Sequence, residues 1–273
     1  MRLYLCMLAL FSLPRLSNSF HFMKSIGSRY AKGHISTGLE GFSSPEFSAK
    51  FSVPDPVNVD VERNRARKLV LGSGSSSRRM ILTNAGYEFD VVKADLDERA
   101  IGDRSKGDVE NTKKLVSLLA NSKADAIMKI LKDPAHANAD QYSVFAGRPL
   151  LTADQVVICN DQVLEKPLNE QEARAFMAMY GDHPCSTVGC IALTDTATGK
   201  RVSAVDVATI HFNPIAESVM DQLISEGVVF HCAGGLMIEN PLVLPFIERV
   251  EGSEESVMGI SSVLLDSLFD ELY

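Results

Sequence analysis

The segment KLVLGSGSSSRRMILTNAG, from Lys68 to Gly86, decides how the folded part of this chain begins. Lys68 to Leu71 predicts a short buried strand, because apolar residues come directly before glycine and serine. Arg79 to Ala85 predicts the first turns of a helix that ends at Gly86. Small residues and two arginines follow the strand. Turn amides and a helix start can hold an anion, so the segment predicts a phosphate-binding turn, with a flexible serine-rich loop as the alternative.

The composition is typical of a soluble globular protein with a full core. The chain has 273 residues, of which 45% are hydrophobic and 23% charged, and its formal net charge is -8. Nucleic-acid-coating proteins need a basic excess, and membrane spans need roughly 20 apolar residues in a row; this chain has neither. We therefore expect no nucleic-acid partner, and no membrane partner for the mature form. A homodimer is left open.

Five cysteines are scattered along the chain without a C-x-x-C pair or a histidine-rich partner pattern. A zinc site is therefore not expected. Cysteines in such an arrangement, in a chain with ample core, are typical of buried thiols in a reducing compartment.

Residues 1–60 are expected to be a targeting leader and linker without stable structure, and residues 61–273 the folded domain. Arg2 and the apolar run LYLCMLALFSL are the pattern of a signal peptide. Residues 20–50 are rich in serine and glycine and poor in acidic residues, as in a transit peptide. Such a two-part leader resembles those of algae whose plastids have extra membranes. We therefore predict a plastid location, with secretion and the cytoplasm as alternatives; the unpaired cysteines argue against secretion.

One carboxylate stands inside a predicted strand. Residues 150–158, LLTADQVVI, are apolar except around Asp154, and the hairpin signal Asn160-Asp161 follows. A buried carboxylate carries a desolvation cost unless a cation, a metal or backbone amides hold it. Asp154 is therefore a candidate functional residue. The alternative is a purely structural role, in which the carboxylate is hydrogen-bonded to backbone amides.

The rest of the domain alternates helices and strands. Residues 108–131 show helical spacing, residues 132–148 predict a loop excursion, and Asn169 with Glu172 predicts a capped helix start. Residues 185–194 and 202–212 predict a β-hairpin. This mixture predicts an α/β fold, a mixed central sheet with flanking helices.

Six motifs in this order resemble the Maf family of nucleoside triphosphate pyrophosphatases: SGSSSRR, DLDE, LANSKADAI, ADQVV, LEKP and HCAGG. The resemblance covers the chain from Lys68 to its end. It implies a two-lobed α/β fold like that of inosine-triphosphate pyrophosphatases. It also implies hydrolysis of a nucleoside triphosphate between the α and β phosphates, with a divalent metal, Mg²⁺ or Mn²⁺.

The resemblance also assigns residues. The family's functional positions fall on Ser73, Arg78, Glu98, Lys123, Asp154 and Lys166, with Asp154 as the proton acceptor, and its base-selecting positions fall on Ser77, Gln155 and Glu239. Gln155 and Glu239 match the subgroup that acts on 7-methyl-GTP rather than dTTP and UTP. Ser77 replaces the arginine or tryptophan that the family carries there. The resemblance therefore leaves two substrate types open, 7-methyl-GTP and dTTP or UTP.

The residue chemistry points the same way. Arg78 and Lys166 can bind phosphates, and Glu98 and Asp154 are hard oxygen ligands that suit Mg²⁺. Each assignment has a structural alternative. Lys123 could be a solvated residue on a helix, and Glu98 could be a turn residue without a role in binding. Other function classes also remain. A nucleotidyltransferase or kinase needs the same groups, although no P-loop is present, and a non-catalytic nucleotide-binding regulator would retain the binding residues alone.

Overall fold

The computed structural model describes residues 48–52, 55–56, 59–133, 135–136 and 138–273, which belong to one compact unit of the chain. The predicted signal-like segment lies outside the described residues, as does the transit-like segment except for its last three residues, 48–50. No helix in the described part has the length and apolar character to cross a membrane.

Helices and strands alternate through the first half of the domain, and the longer strands follow. The strands are β1 (Leu69–Leu71), β2 (Phe89–Val91), β3 (Pro149–Cys159), β4 (Gln162–Leu164), β5 (Cys185–Asp195), β6 (Arg201–Phe212) and β7 (Ile247–Glu251). The helices are α1 (Val61–Ala66), α2 (Ser76–Asn84), α3 (Val109–Lys132), α4 (Ala139–Tyr142), α5 (Glu170–Tyr180), α6 (Glu217–Glu226), α7 (Glu254–Met258) and α8 (Ser262–Leu272).

The strands form one mixed sheet, seven-stranded in the described part, in the order β2-β1-β3-β5-β6-β7, with β4 paired to β3. β1 runs parallel to both β2 and β3, and the other pairs are antiparallel. Parallel strands need crossover connections: α2 connects β1 to its neighbour β2, and α3 connects β2 to β3 on the other side of β1. The predicted α/β fold with a mixed central sheet and flanking helices is confirmed.

Different helices cover the two halves of the long central strands. One half packs with α2 and α8 in a cluster that includes Leu71, Leu82 and Leu265. The other half packs with α5 and α6 in a cluster that includes Met177 and Leu223. The helix α3 lies across the opposite face. The core therefore has two lobes that share β3, β5 and β6.

Local polar contacts set several of the element boundaries. The hydroxyl of Ser75 accepts a hydrogen bond from the Arg78 amide, so α2 begins at Ser76, three residues before the predicted start. Asn169 caps α5 by accepting from the Glu172 amide at 2.9 Å, as predicted. Asn160 and Asp161 both have positive φ, which confirms the tight turn predicted between β3 and β4.

The segment predicted as a loop excursion over residues 132–148 is more ordered than the sequence indicates. It contains α4, and Phe145 is buried against the β1–β3 side of the sheet. The Arg148 guanidinium donates to the Leu69 carbonyl at 2.6 Å and pairs with Asp90 at 2.7 Å. These partners are far away in sequence, so local periodicity could not reveal the packing.

Contacts with the domain begin before the boundary expected near residue 61. The Ser52 amide donates to the Val250 carbonyl at 2.8 Å, and the Val250 amide donates to the Lys50 carbonyl at 2.6 Å. The Asp55 carboxylate accepts from the Glu255 amide at 3.2 Å. The strand β7, which the sequence analysis did not predict, is the last strand in the sheet order, and its Val250 pairs with this preceding segment. A preceding chain segment can pair there.

Candidate active site

Three charged side chains meet beside the middle of β3. Asp154 is buried at 7% exposure, and the Lys123 ammonium from α3 contacts its Oδ1 directly. The same ammonium lies 3.0 Å from Glu98 Oε2. Lys123 is therefore not a solvated helix residue, since its side chain is only 15% exposed and bridges two carboxylates. Among the described residues, Asp154 is held by this cation and by no backbone amide, which argues against the purely structural role.

Glu98 reaches this cluster from a short 3₁₀ turn. Asp97 caps the turn through hydrogen bonds from the amides of Arg99 and Ala100, which holds Glu98 at its first position. The Glu98 side chain is 49% exposed, so it forms the solvent side of the cluster while Asp154 forms the buried side.

Arg78 is buried and fixed by three acceptors. Its Nη1 donates to the Ser73 hydroxyl at 3.2 Å and to the Ala153 carbonyl at 3.0 Å, and its Nε donates to the Gly259 carbonyl at 3.3 Å. Burial lowers the pKa of the guanidinium, while the charges of Asp154 and Glu98 raise it. Arginine stays protonated at any ordinary pH, so the site retains a fixed positive charge beside Asp154.

The turn between β1 and α2 leaves donors available. The amides of Gly74, Ser76 and Ser77 have no hydrogen-bond partner within the described part of the chain. Gly72 cannot carry a side chain, because a Cβ there would lie 2.6 Å from Ile127 Cδ1 and from Thr152 Cγ2. The close packing of this turn and the free amides at the helix start are compatible with anion binding, which stays a prediction.

Burial and charge pull the Asp154 pKa in opposite directions. Burial raises it above its usual value and is the larger effect. The nearby Lys123 and Arg78 lower it, and Glu98 raises it further. The resulting carboxylate has a raised proton affinity and stands at the edge of a cationic turn, which suits a group that accepts a proton during a reaction.

A third carboxylate, Glu239, faces the start of α2. The Ser77 hydroxyl donates to Glu239 Oε1 at 3.4 Å, and burial raises the pKa of Glu239. Gly234 lies in the segment before Glu239 with φ 69°, and Tyr180 donates to its carbonyl at 2.6 Å. A Cβ on Gly234 would lie 2.5 Å from the Tyr180 hydroxyl, so glycine is required to bring this segment to the site.

Gln155 ties the same region to α7. Its amide donates to the Val257 carbonyl at 2.8 Å, and its Oε1 lies 2.6 Å from the position of a Cβ on Gly259. Gly259 also accepts from Arg78, so it connects the phosphate turn with the residues predicted to select the base. The sequence analysis did not single out Gly259. The feature of the sequence that could have identified Gly259 is a glycine immediately after a short helix.

Lys166 stands apart from this network. It is exposed in the segment after β4 and makes no hydrogen bond or ion pair with any residue that the structure describes. Its neighbour Glu165 instead pairs with Arg104 at 2.7 Å. His211 lies on β6, outside the charged cluster, and its Nε2 contacts Glu251 on the adjacent strand β7 at 2.9 Å.

Two further charged residues near the site were not predicted from the sequence. The Lys93 ammonium lies 2.9 Å from the position that a Cβ on Gly74 would occupy. Glu254, at the start of α7, has a pKa raised to about 7 by burial and by the charges of Asp55, Glu239 and Glu255. Both come from segments that the motifs do not cover.

The donor set fits a divalent metal that is shared with a substrate. Glu98 and Asp154 supply two carboxylates, and no group of three histidine, cysteine or acidic side chains suited to a metal is found among the described residues. Mg²⁺ in phosphate-handling sites commonly takes one or two carboxylates together with substrate phosphates rather than a cage made by the protein alone.

Comparison with known proteins shows which family the chain belongs to. Residues 68–272 match the family model described as Maf-like protein. The chain is 33% identical over 207 residues to the 7-methyl-GTP pyrophosphatase of Dictyostelium discoideum, covering 76% of this chain and 98% of that protein. It is 30% identical over 206 residues to the dTTP/UTP pyrophosphatase of Vibrio vulnificus, covering 75% of this chain and 98% of that one.

Among solved structures, the chain matches a nucleoside-triphosphatase, a dITP/XTP pyrophosphatase, from Mycobacterium abscessus. The match has 8% identity and a TM-score of 0.31 and covers 75% of this chain and 94% of the other. The family match over residues 68–272 spans about three-quarters of the chain, a range that contains Glu98, Lys123 and Asp154. The chain is therefore a member of the Maf family of nucleoside triphosphate pyrophosphatases.

Proposed function

We propose that this chain hydrolyses a nucleoside triphosphate between its α and β phosphates, which gives a nucleoside monophosphate and pyrophosphate. The observation that carries the proposal is the contact of Lys123 with both Asp154 and Glu98, next to the turn that Arg78 holds. Cations and amides suit the triphosphate, and the buried carboxylate suits activation of water. The names of the two relatives support the same reaction.

The chemical step is an in-line attack of water on the α-phosphorus. The water oxygen forms the new bond to phosphorus, and its proton passes to Asp154. The bond from the α-phosphorus to the bridging oxygen breaks, and pyrophosphate leaves with the electron pair. Lys123 keeps Asp154 oriented and compensates its charge before the proton arrives. Such transfers need mainly positioning and charge stabilisation, which this set of residues can supply.

The phosphates are held by the turn and by flanking cations. Arg78 is already oriented by Ser73 and by backbone carbonyls, so it offers a fixed positive charge at low entropic cost. The unpartnered amides at the start of α2 complete the cradle. Lys166 is exposed and unpaired among the described residues, so its ammonium is free to reach a bound phosphate.

We also propose a divalent cation, Mg²⁺ or Mn²⁺, as cofactor. Glu98 and Asp154 would hold it together with substrate phosphates, since both are hard oxygen donors with no soft ligand beside them. When bound, such a cation supplies charge neutralisation on the phosphates and lowers the pKa of water.

For the base, we propose guanine or its 7-methyl form. Glu239 is a partly buried carboxylate whose side-chain partner is the weak donor Ser77 at 3.4 Å. Guanine presents two neighbouring N–H donors that a carboxylate can accept as a charge-assisted pair. Uracil and thymine present one N–H between two carbonyls, and those carbonyls would meet the carboxylate unfavourably. The relative named for 7-methyl-GTP supports this choice.

A second candidate substrate is dTTP or UTP. The relative from Vibrio vulnificus carries that name at similar identity, and Ser77 offers no aromatic or guanidinium face for a methylated purine. Two outcomes would contradict hydrolysis itself. One is nucleotide binding without turnover, and the other is transfer of the nucleotide to a second substrate.

A substrate panel tests the proposal. The full chain is incubated with 7-methyl-GTP, GTP, dTTP and UTP, with and without Mg²⁺, and both monophosphate and free pyrophosphate are quantified. We expect equimolar monophosphate and pyrophosphate, with the highest kcat/KM for a guanine nucleotide. Orthophosphate as the primary product, or no product with any nucleotide, would overturn the reaction. A highest kcat/KM for dTTP or UTP would overturn the choice of base alone.

A further inference from the structure

We infer that Lys93 is an additional substrate-binding residue of this site. Its ammonium contacts the terminal phosphates of the bound triphosphate, the part that leaves as pyrophosphate. This inference rests on the proposed function and adds a residue to it.

The inference begins from how close Lys93 lies to the phosphate turn. Its Cε and Nζ are both 2.9 Å from the position of a Cβ on Gly74, so the end of the side chain lies directly over that residue. The preceding turn residue, Ser73, accepts from Arg78 at 3.2 Å. Arg79 donates to the Gly74 carbonyl at 3.4 Å. Three cations therefore surround two successive residues of one turn.

The sheet register explains why Lys93 reaches this turn. Leu71 on β1 pairs with Val91 on β2 and with Leu151 on β3, and all three strands are parallel. Two residues beyond this row, Ser73 is level with Lys93 on one side and with Ala153 on the other. Asp154 is the next residue after Ala153. Strands lie about 4.8 Å apart, so the backbones of Lys93 and Asp154 are roughly 10 Å apart, at the carboxyl ends where open α/β sheets bind ligands.

Lys93 also lacks an internal counterion. Lys123 pairs with Asp154 and Glu98, whereas Lys93 is exposed and has no hydrogen bond or ion pair within the described part of the chain. Three like charges around unpartnered amides repel one another until an anion binds between them. Gly74 is itself exposed, so an anion can reach the turn from solvent. The arrangement is suited to an anion with several charges.

The position of Lys93 indicates which phosphates it contacts. The attacked α-phosphorus must lie near Asp154 on β3, and the base lies towards Ser77 and Glu239. Lys93 follows the end of β2 by two residues, and β2 lies on the far side of β1 from β3, which carries Asp154. The part of the substrate that extends away from both the base and Asp154 is the β and γ phosphates.

Substitution of Lys93 by methionine tests the inference, because methionine keeps an unbranched stem and removes the charge. Inorganic tripolyphosphate and the nucleoside monophosphate are used as inhibitors at fixed ionic strength and Mg²⁺. We expect Lys93→Met to raise the inhibition constant of tripolyphosphate about tenfold, a typical effect of one charge-assisted contact. The inhibition constant of the monophosphate should change less than about twofold. Lys93→Arg should retain most of the tripolyphosphate affinity.

Lys114 provides the matched control. It lies nine residues before Lys123 on α3, roughly half a turn away around the helix, and is exposed without a partner in the described part of the chain. Lys114→Met removes the same charge and should leave both inhibition constants unchanged. An unchanged tripolyphosphate constant in Lys93→Met, or an equal rise for the monophosphate, would overturn the inference. Tripolyphosphate binding measured by calorimetry requires no turnover, so its result remains separate from failure of the proposed reaction.

Discussion

Substitution of Asp154 by asparagine separates catalysis from stability, and the structure gives the size of each effect. The change keeps the shape of the side chain and removes its charge. Burial raises the pKa of Asp154 more than Lys123 and Arg78 lower it, so the folded chain holds the ionised carboxylate at a cost. Asparagine removes that cost, and the Lys123 ammonium keeps Glu98 at 3.0 Å as counterion. We expect the free energy of unfolding to change by less than about 1 kcal/mol.

The effect on turnover should be much larger. A group that accepts a proton in the chemical step typically contributes about 10²–10⁴-fold to the rate, so kcat should fall at least 100-fold. Pyrophosphate release measures kcat, urea denaturation measures stability, and calorimetry with a non-hydrolysable α,β-methylene triphosphate measures binding. Binding measured without a divalent metal, for which Asp154 is a proposed ligand, should stay within about threefold of the parent chain, because the phosphate cations are untouched.

Asp195→Asn is the matched control. Asp195 accepts from the Ala197 amide at 2.8 Å and from the Thr198 hydroxyl at 2.9 Å in the β5–β6 turn, outside the charged cluster. Its loss should cost on the order of 1 kcal/mol of stability and leave kcat unchanged. A kcat for Asp154→Asn within about threefold of the parent would refute the role of Asp154 as proton acceptor.

The remaining predictions concern the base, pH, metal and targeting. Glu239→Gln should lower the ratio of kcat/KM for GTP over UTP at least tenfold, since an amide accepts one guanine N–H and donates to a uracil carbonyl; an unchanged ratio would place base choice elsewhere. Burial raises the pKa of Glu254 from 4.5 to about 7, so the folded chain binds a proton in that window that the unfolded chain lacks. The free energy of unfolding should therefore fall as pH rises through the window, and Glu254→Gln should reduce that fall by on the order of 1 kcal/mol. EDTA should abolish activity and Mg²⁺ or Mn²⁺ restore it, whereas full activity in chelator would exclude a metal. A fluorescent reporter fused to residues 1–60 should enter plastids, and a diffuse cytosolic signal would refute that location.

Local sequence predicted those parts of the site that depend on neighbouring residues. The strand, small turn and helix around Arg78 follow from residue order, and Asp154 stands out because a carboxylate interrupts an apolar strand. The Asn160-Asp161 turn and the Asn169 cap were visible for the same reason. Each depends on contacts within a few residues, where turn and capping chemistry is specific.

Long-range packing was not predictable in this way. Ser77 and Glu239 are 162 positions apart, and only the family resemblance brought them together before the structure did. Lys93 reaches the turn through the register of β1 and β2, which no local pattern determines. The pairing of Lys50 and Ser52 with Val250 depends on an edge strand that the sequence analysis missed. These contacts follow from topology, and propensity alone does not specify topology.

The central claim, attack of water on the α-phosphorus, is tested most directly by isotope transfer. The reaction is run in water enriched in oxygen-18, and the two products are separated and analysed by mass spectrometry. Attack at the α-phosphorus forms the new bond there, so the label should appear in the nucleoside monophosphate and the pyrophosphate should be unlabelled. Label in the pyrophosphate, with an unlabelled monophosphate, would mean attack at the β-phosphorus and would contradict the role given to Asp154 and its neighbours.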